Sequence, residues 1–400
     1  MKQKIIILTI LSIPVFHIGN IFAQNDIKTW RATSLQECIE IALRNNLQIQ
    51  SAELGVRQAK ALQGTAFNPE KTGISYEQDP FTPDWIDKKV SITQRFEFPS
   101  VYAAQGKMLR AETRLAEKAR LVAQNEVTKN VSEAYFNLCR AVQIVQLLQQ
   151  QDSIYNGFID RATVRFNAGE TNRLELMNAQ SRYHENRLQL NKANVDLANS
   201  RLVLQKLLNV PDLIAPLNPP SRGTFSPPEG GLEGAVLDYY TQQQNVARAQ
   251  IGVEKNKLLP DIFGGYSFND TKLPGFQIGV SVPLFFGSNR AKIKAAQIRN
   301  QQIGIERQQM AQSLQNAYSV QYNEYLRAKE SLAYYETAGI AQADEIMQTA
   351  QTAYNLGEIG YMEYIQNLQT AIAIKLQYAD ALNQFNQAII ALNYLKGEEK

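Results

Sequence analysis

The sequence is most informative in what it has little of. Its 400 residues include two histidines, and only His184 lies beyond the first 23 residues. One histidine cannot build a histidine-based triad or a multi-histidine metal site within a single chain. Walker-type phosphate loops, CxxC pairs and GxSxG motifs are also missing. We therefore expect no enzyme activity, no cofactor and no metal site.

Cysteine is nearly absent as well, since Cys38 and Cys139 are the two in the chain. Two cysteines do not make a disulfide scaffold. A single bridge in an exported protein stays possible, but the favoured interpretation is that both are small core residues. Cys38 lies in the sequence TSLQEC, which is not a lipid-attachment context.

The chain also lacks an excess of one charge and long apolar runs. There are 41 Lys and Arg against 38 Asp and Glu, which gives no electrostatic reason to expect nucleic acid. The segment Met1–Ala23, with Lys2, Lys4 and an apolar run, is typical of a secretory signal cleaved after Ala23. Beyond it no run of about 18 apolar residues predicts a membrane helix. An exported chain of this kind can still span a membrane as a barrel.

Proline and glycine are missing over long stretches, which favours very long helices. No proline lies between Pro99 and Pro211, and no glycine between Gly106 and Gly157. Fifty helical residues extend about 75 Å. A coiled-coil seam is indicated by apolar residues three and four apart at Val127, Val131, Ala134, Leu138, Val142 and Val145. The last helix carries a similar stripe at Leu368, Ile372, Leu376, Ala379, Leu382, Phe385, Ile389 and Leu392.

One motif occurs twice within these helical regions. The first copy is Asn167, Ala168, Gly169 and Glu170, and the second, 188 residues later, is Asn355, Leu356, Gly357 and Glu358. Each Gly is followed six residues later by a further Glu, at Glu175 and Glu363. A Gly after an Asn commonly ends one helix before the next begins. We interpret both copies as tips of long helical hairpins.

Two pairs of segments have the period of two that β-strands require. In the stretch 90–98 apolar Val90, Ile92, Phe96 and Phe98 alternate with polar residues, and 72–78 forms the other strand of a hairpin with Pro80, Pro83 and Trp85 in its loop. The second pair is 262–269 and 276–285, with Pro274-Gly275 in the turn. The lengths suit strands that cross a bilayer, although an ordinary half-buried sheet has the same alternation. Because four strands cannot close the smallest barrel of about eight, we expect a barrel shared between chains.

The elements follow the same order twice. We predict a signal at 1–23 and a first repeat at 24–210. The first repeat contains a helix that begins with a capping box at Ser34 and Glu37 and runs to Gln63, then the hairpin at about 72–98 and the tip near 167–170. A Pro/Gly-rich linker at 211–231 follows, and then a second repeat at 232–400 with its hairpin at about 262–285 and its tip near 355–358.

With these elements the chain resembles the TolC family of outer-membrane channel proteins, the outer membrane factors. The resemblance depends on the duplicated order, on VPLFFGSNRAKI at 282–293 and on the two Asn-x-Gly-Glu tips. It implies a mainly α chain with a small β component, assembled as a homotrimer. Each chain would give four strands to a β-barrel of about twelve strands, continued by an α-helical barrel of antiparallel coiled-coil helices.

The resemblance also implies a location, partners and site residues. The trimer would lie in outer-membrane lipid, extend into the periplasm, and work with a periplasmic adaptor (membrane fusion) protein and an inner-membrane transporter of the RND or ABC type. The two tips would contact the adaptor, although simple turn chemistry also explains them. Glu175 and Glu363 would form carboxylate rings at the pore constriction, unless they belong to a solvated helix face.

One departure from the family concerns the gate. Where the best-known member has an Arg two residues after the second tip Gly, this chain has Ile359, while Tyr354 keeps the aromatic of the same lock. We expect a more hydrophobic closure involving Ile359, Tyr361 and Met362. The function implied is an exit duct for small molecules or ions. A duct for type I protein secretion and an exported coiled-coil filament are the alternatives.

Overall fold

The computed structural model describes residues 30–79, 87–217, 221–227, 232, 234–269 and 274–397. The predicted signal Met1–Ala23 and the predicted loop residues Pro80, Pro83 and Trp85 lie outside the described residues. The strands are β1 (Trp30–Thr33), β2 (Gly73–Asp79), β3 (Asp87–Phe96), β4 (Leu213–Pro216), β5 (Asp261–Asn269) and β6 (Pro274–Ser281). The helices are α1 (Leu35–Asn45), α2 (Leu47–Leu62), α3 (Pro99–Asn167), α4 (Arg173–Leu208), α5 (Ala235–Asn256), α6 (Gly287–Tyr334), α7 (Ile340–Asn355) and α8 (Tyr361–Lys396).

The first helical region contains the predicted capping box but not the predicted single helix. The Ser34 side chain accepts a hydrogen bond from the backbone N–H of Glu37, whose carboxylate accepts from the N–H of Ser34 at 2.9 Å. The helix predicted to run to Gln63 is broken at Asn46, which has an extended backbone. The Asn46 side chain caps α2 and also donates to the carbonyl of Leu207, 2.8 Å away at the end of α4. The break is therefore fixed by a residue distant in sequence.

Helix α3 has 69 residues, about 100 Å of helix, and packs against α1, α2, α4, α5 and α8. The predicted seam is confirmed, because Val127, Val131, Leu138 and Val145 are buried. They join one cluster with residues of α1 and α4, and Val142 packs partly buried against it. A narrow apolar stripe thus holds the middle of the long helices together.

Both cysteines lie in this cluster as thiols, which confirms the prediction that they are core residues. Burial raises the pKa of the Cys139 thiol to about 12, so it stays protonated. The neighbouring Tyr135 hydroxyl donates to the carbonyl of Thr33 at 3.3 Å. The thiols therefore serve packing.

The region predicted as an irregular linker contains a strand. β4 pairs in parallel with β1, and the N–H of Leu217 continues the ladder to the carbonyl of Thr33 at 3.1 Å. Ile214 is buried in the cluster of α1, α3 and α4. The short segment is ordered because its apolar side chain completes a core to which other elements contribute.

β2, β3, β5 and β6 form one antiparallel sheet in that order, so the two hairpins join side by side through β3 and β5. Residues that face each other across the strands share a side of the sheet. The apolar side carries the row Ile74, Ile92, Tyr266 and Phe276 and the row Phe96, Ile262 and Val280. The opposite side is mostly small or polar, with rows such as Ser75, Ser91, Ser267 and Gly275, and it also carries the large side chain of Phe263.

The second hairpin differs in detail from the prediction. Pro274 and Gly275 lie within β6 rather than in the turn, and β6 ends at Ser281 instead of extending to residue 285. On the apolar side Phe276 and Ile278 are 82% and 86% exposed. In a single chain this face has no cover.

The second half continues into helices α6 to α8. A π-helical turn at Tyr335–Gly339 separates α6 from α7, and most of the predicted stripe on α8 is buried, with Leu368, Leu382 and Leu392 among the least exposed residues. Among the described residues, none of the helices combines the length and apolar character needed to cross a membrane.

The sheet offers a test of its packing at two glycines, Gly279 on the polar side and Gly264 on the apolar side. A Cβ placed on Gly279 would lie 2.5 Å from Cζ of Phe263, its cross-strand partner, whereas one on Gly264 would meet nothing closer than 3.9 Å. We expect Gly279→Ala to lower the free energy of unfolding by about 1–3 kcal/mol through overpacking, and Gly264→Ala to leave it unchanged or raise it. Thermal unfolding in detergent measures both. Equal melting temperatures would contradict the close contact.

Candidate functional site

The two predicted tips have the same backbone geometry. Gly169 and Gly357 have positive φ angles of 76° and 74°, in the region where a side chain is disfavoured. The N–H of Glu170 donates to the carbonyl of Arg165, and the N–H of Gly169 to that of Phe166, which is a Schellman motif. The second tip has the two equivalent hydrogen bonds, from the N–H of Glu358 to the carbonyl of Ala353 and from the N–H of Gly357 to that of Tyr354. Each turn is therefore closed by backbone alone.

Since the backbone closes the turns, their side chains are left exposed. Asn167, Ala168 and Glu170 are exposed, and so are their counterparts Asn355, Leu356 and Glu358. Leu356 is a large apolar side chain that is 69% exposed. Both tips thus present side chains that are not needed for the turn itself.

Just behind the tips, aromatic side chains join the two hairpins. Phe158 of α3 contacts Tyr354 of α7 and Tyr361 and Tyr364 of α8, with ring centroids 5.0–5.4 Å apart. The Arg161 guanidinium lies 4.6 Å from the centroid of the Phe158 ring. We call these five residues the aromatic junction. It connects the tip of one hairpin to the tip of the other within a single chain.

The predicted gate residues lie at or beside this junction. Tyr361 is buried in it, Ile359 is half-buried against the same cluster, and Met362 is exposed. The Tyr361 hydroxyl is buried and has no hydrogen-bond partner among the described residues. Burial raises the pKa of Tyr361 well above its usual range, and the nearby Tyr155 and Glu175 add to the shift.

Glu175 occupies the first turn of α4, next to the first tip. Its carboxylate forms an ion pair with Arg165 across the turn at 3.1 Å, and the Thr171 hydroxyl donates to it. Its own N–H donates to the side chain of Asn172, which caps the helix at 2.9 Å. The side chain is 19% exposed. The charge of Glu175 is therefore largely neutralised within the chain.

Glu363 occupies the matching position on α8 but has a different environment. The residues that match Arg165 and Thr171 are Ala353 and Ile359, so neither can pair with a carboxylate. Glu363 is exposed, and no described residue forms a hydrogen bond or ion pair with it. One of the two predicted carboxylates is thus paired, and the other faces solvent with its full charge.

Three residues that organise this region were not predicted from the sequence. Phe158 and Arg161 lie in the long helix without a motif to mark them. Arg165 lies at the start of the repeated segment, and its replacement by Ala353 in the second copy was a signal that Glu175 and Glu363 differ.

The architecture defines a class of protein. Long helical hairpins with equivalent exposed tips, ending in a four-stranded sheet with an uncovered apolar face, are the features of an outer-membrane channel protein. Residues 75–210 and 238–398, well over half of the chain, match the model of the outer membrane efflux protein family. The chain belongs to this family, which confirms the resemblance to the TolC family. It is an outer-membrane efflux protein and not an enzyme.

Individual relatives are distant but cover most of the chain. The probable outer membrane lipoprotein SilC of Salmonella typhimurium is 24% identical over 86% of this chain and 82% of its own length. The channel protein CusC has the same fold, with a TM-score of 0.77 at 18% identity, covering 92% of this chain and 93% of CusC. The open state of MtrE from Neisseria gonorrhoeae gives a TM-score of 0.75 at 17% identity, covering 91% and 89%.

The aromatic junction contains a matched pair of hydroxyls for a test. Tyr361 has a buried hydroxyl without a hydrogen-bond partner in the described parts of the chain, whereas the Tyr364 hydroxyl donates to Gln351 Oε1 at 2.7 Å. We expect Tyr361→Phe to stabilise the protein by about 1 kcal/mol and Tyr364→Phe to destabilise it by about 0.5–1.5 kcal/mol. Thermal unfolding of the two variants beside the wild type shows whether each substitution raises or lowers the stability. A loss of stability in Tyr361→Phe would show that its hydroxyl is satisfied.

Proposed function

We propose that three copies of this chain assemble into the exit duct of a tripartite efflux system. The single observation that carries the proposal is the uncovered apolar face of the four-stranded sheet, whose outer strands β2 and β6 each have one unpaired edge among the described strands. Exposed edges and apolar faces are both costly in water. Joining the sheets of three chains edge to edge closes a β-barrel, and membrane lipid covers its apolar side.

The helices support assembly in the same way. α4 exposes Leu188, Val195 and Leu202 in a stripe with a spacing of seven residues, which is a coiled-coil period. Along the 48 residues of α6 the buried ones are Ile303, Ala328 and Leu332. Both helices therefore have faces that a neighbouring chain can cover, and closing the ring of helices produces a hollow α-helical barrel below the membrane.

The tips are the proposed docking site for a periplasmic adaptor protein. Asn167, Glu170, Asn355 and Glu358 are exposed and unnecessary for closing their turns, so they are available to a partner. The adaptor would in turn connect the duct to an inner-membrane transporter of the RND or ABC type. The transporter would supply the energy and choose the cargo, which we propose to be small molecules or ions.

The constriction of the duct lies at the same end. In a trimer Glu363 gives a ring of three unpaired carboxylates, which favours cations in a narrow pore. Glu175, paired with Arg165, contributes less charge. Ile359 and Met362 beside the aromatic junction would provide an apolar closure, with Tyr354 and Tyr361 supporting it from inside the chain.

The first experiment measures the mass of the protein in detergent and its conductance in a planar lipid bilayer. We expect a trimer with small, cation-selective conductance, because three sheets close one barrel around a pore that is narrow at its far end. A monomer that does not insert would contradict the duct. A trimer that supports secretion of a whole protein with its cognate pump would favour type I secretion instead of small-molecule efflux.

A second measurement separates the two carboxylates. We expect Glu363→Gln to lower the cation-to-anion permeability ratio at least about threefold, since it removes three unpaired charges from the pore. Glu175→Gln should change the ratio little, because Arg165 already neutralises that carboxylate. Reversal potentials in a salt gradient give both ratios. Equal effects would show that the Arg165 pair opens in the assembled duct.

The apolar gate is tested at Ile359. We expect Ile359→Arg to change the single-channel conductance, because a charged guanidinium replaces an apolar side chain at the closure. The guanidinium can also pair with the carboxylates of the proposed Glu363 ring. Val164→Arg is the control, since Val164 is an exposed aliphatic side chain near the first tip and lies outside the predicted constriction. Unchanged conductance in Ile359→Arg would remove Ile359 from the gate.

A further inference from the structure

A cleft between α3 and α5 has a concentration of positive charge that the efflux function leaves unexplained. It has a volume of about 570 Å³, within the range of ligand pockets. Four basic side chains line it: Lys107, Arg110, Arg114 and Arg248. No acidic residue lies among its lining residues.

Sequence spacing places these charges on one side of the helix pair. Lys107, Arg110 and Arg114 follow one another at intervals of three and four residues, so they lie on one face of α3. Arg248 reaches the cleft from α5. The two helices are fixed together here, because the Gln242 side chain of α5 donates to the carbonyl of Ala111 at 2.9 Å. The charges therefore converge on a rigid site.

The same side chains have no partners within the described chain. All four are exposed, and no described residue accepts a hydrogen bond from them or pairs with them. By contrast, Lys118, one turn further along α3, pairs with Asp238 of α5 at 2.6 Å. Adjacent like charges repel each other, and a bound anion relieves that repulsion.

The floor of the cleft leaves room for such an anion. The other lining residues have either amide side chains or very small ones, the latter being Ala104, Ala111, Ala249 and Gly252. A Cβ on Gly252 would meet nothing within 4 Å. Guanidinium groups suit the planar, two-point geometry of phosphate and carboxylate oxygens. We propose that this cleft is a binding site for a dissolved multivalent anion of the phosphate or carboxylate type.

The position along the helix favours a dissolved anion over a lipid headgroup. α3 begins at Pro99, directly after the sheet, so Lys107 and Arg114 lie about 12 and 22 Å along its axis. The headgroup layer on one side of a bilayer is only about 5–8 Å thick. The basic residues of α3 therefore lie beyond the headgroup layer at the end of the strands.

The test is a calorimetric titration of the purified full-length protein with pyrophosphate at constant ionic strength. We expect saturable binding that weakens at least about tenfold in Arg110→Gln/Arg114→Gln, because charge-assisted hydrogen bonds are lost. Arg248→Gln, on the opposite wall, should weaken it as well. The matched control is Lys192→Gln/Lys206→Gln on α4, which removes the same charge from exposed positions outside the cleft and should preserve binding.

Three results would overturn the proposal. One is the absence of saturable pyrophosphate binding to the wild type, and another is an equal loss in the cleft and control variants, which would indicate net charge alone. The third would be seen with the protein in lipid nanodiscs, if it retained phosphatidylglycerol but not pyrophosphate and the cleft variant no longer retained phosphatidylglycerol. That result would assign the site to a lipid headgroup. Because binding is measured without current or cargo, the outcome is independent of the duct assignment.

Discussion

The structure depends on the lateral packing of one very long helix. An isolated helix is only marginally stable in water, so α3 persists over 69 residues because other elements cover a different side of it at each level. Near the sheet it packs on α2, where the Thr113 hydroxyl donates to the carbonyl of Ala59, in the middle on α1 and α4, and near the tip on α8 through Phe158. The sheet and the first tip thus lie at opposite ends of one rigid helix, about 100 Å apart.

Much of this could be predicted from the sequence, because it follows from local periodicity. The seam at Val127 to Val145, the alternation in the strands and the Gly at each tip are all local properties of the chain. The break at Asn46 and the strand at Leu213–Pro216 were not predictable in this way. The side chain of Asn46 bonds to Leu207, and Ile214 completes a core built from other helices, so both depend on contacts that the order of residues does not reveal.

The site shows the same limit at the level of single residues. Glu175 and Glu363 have the same offset from their tip glycines, yet one is paired and the other exposed, because the partner comes from the opposite side of the turn. Tyr361 was expected at the pore and lies inside the chain, since Phe158 of the other hairpin covers it. Repetition in sequence therefore predicts the backbone of the two tips better than their chemistry.

The Schellman closure of the tips has an evolutionary consequence. In each turn the glycine and the backbone hydrogen bonds fix the shape, while the neighbouring side chains contribute little to it. Selection can therefore replace those side chains without a penalty in folding. Under the proposed adaptor docking, a lineage can change its periplasmic partner by substituting a few exposed residues at the tips, whereas the strands at the other end remain constrained by alternation, cross-strand contacts and the thickness of the membrane.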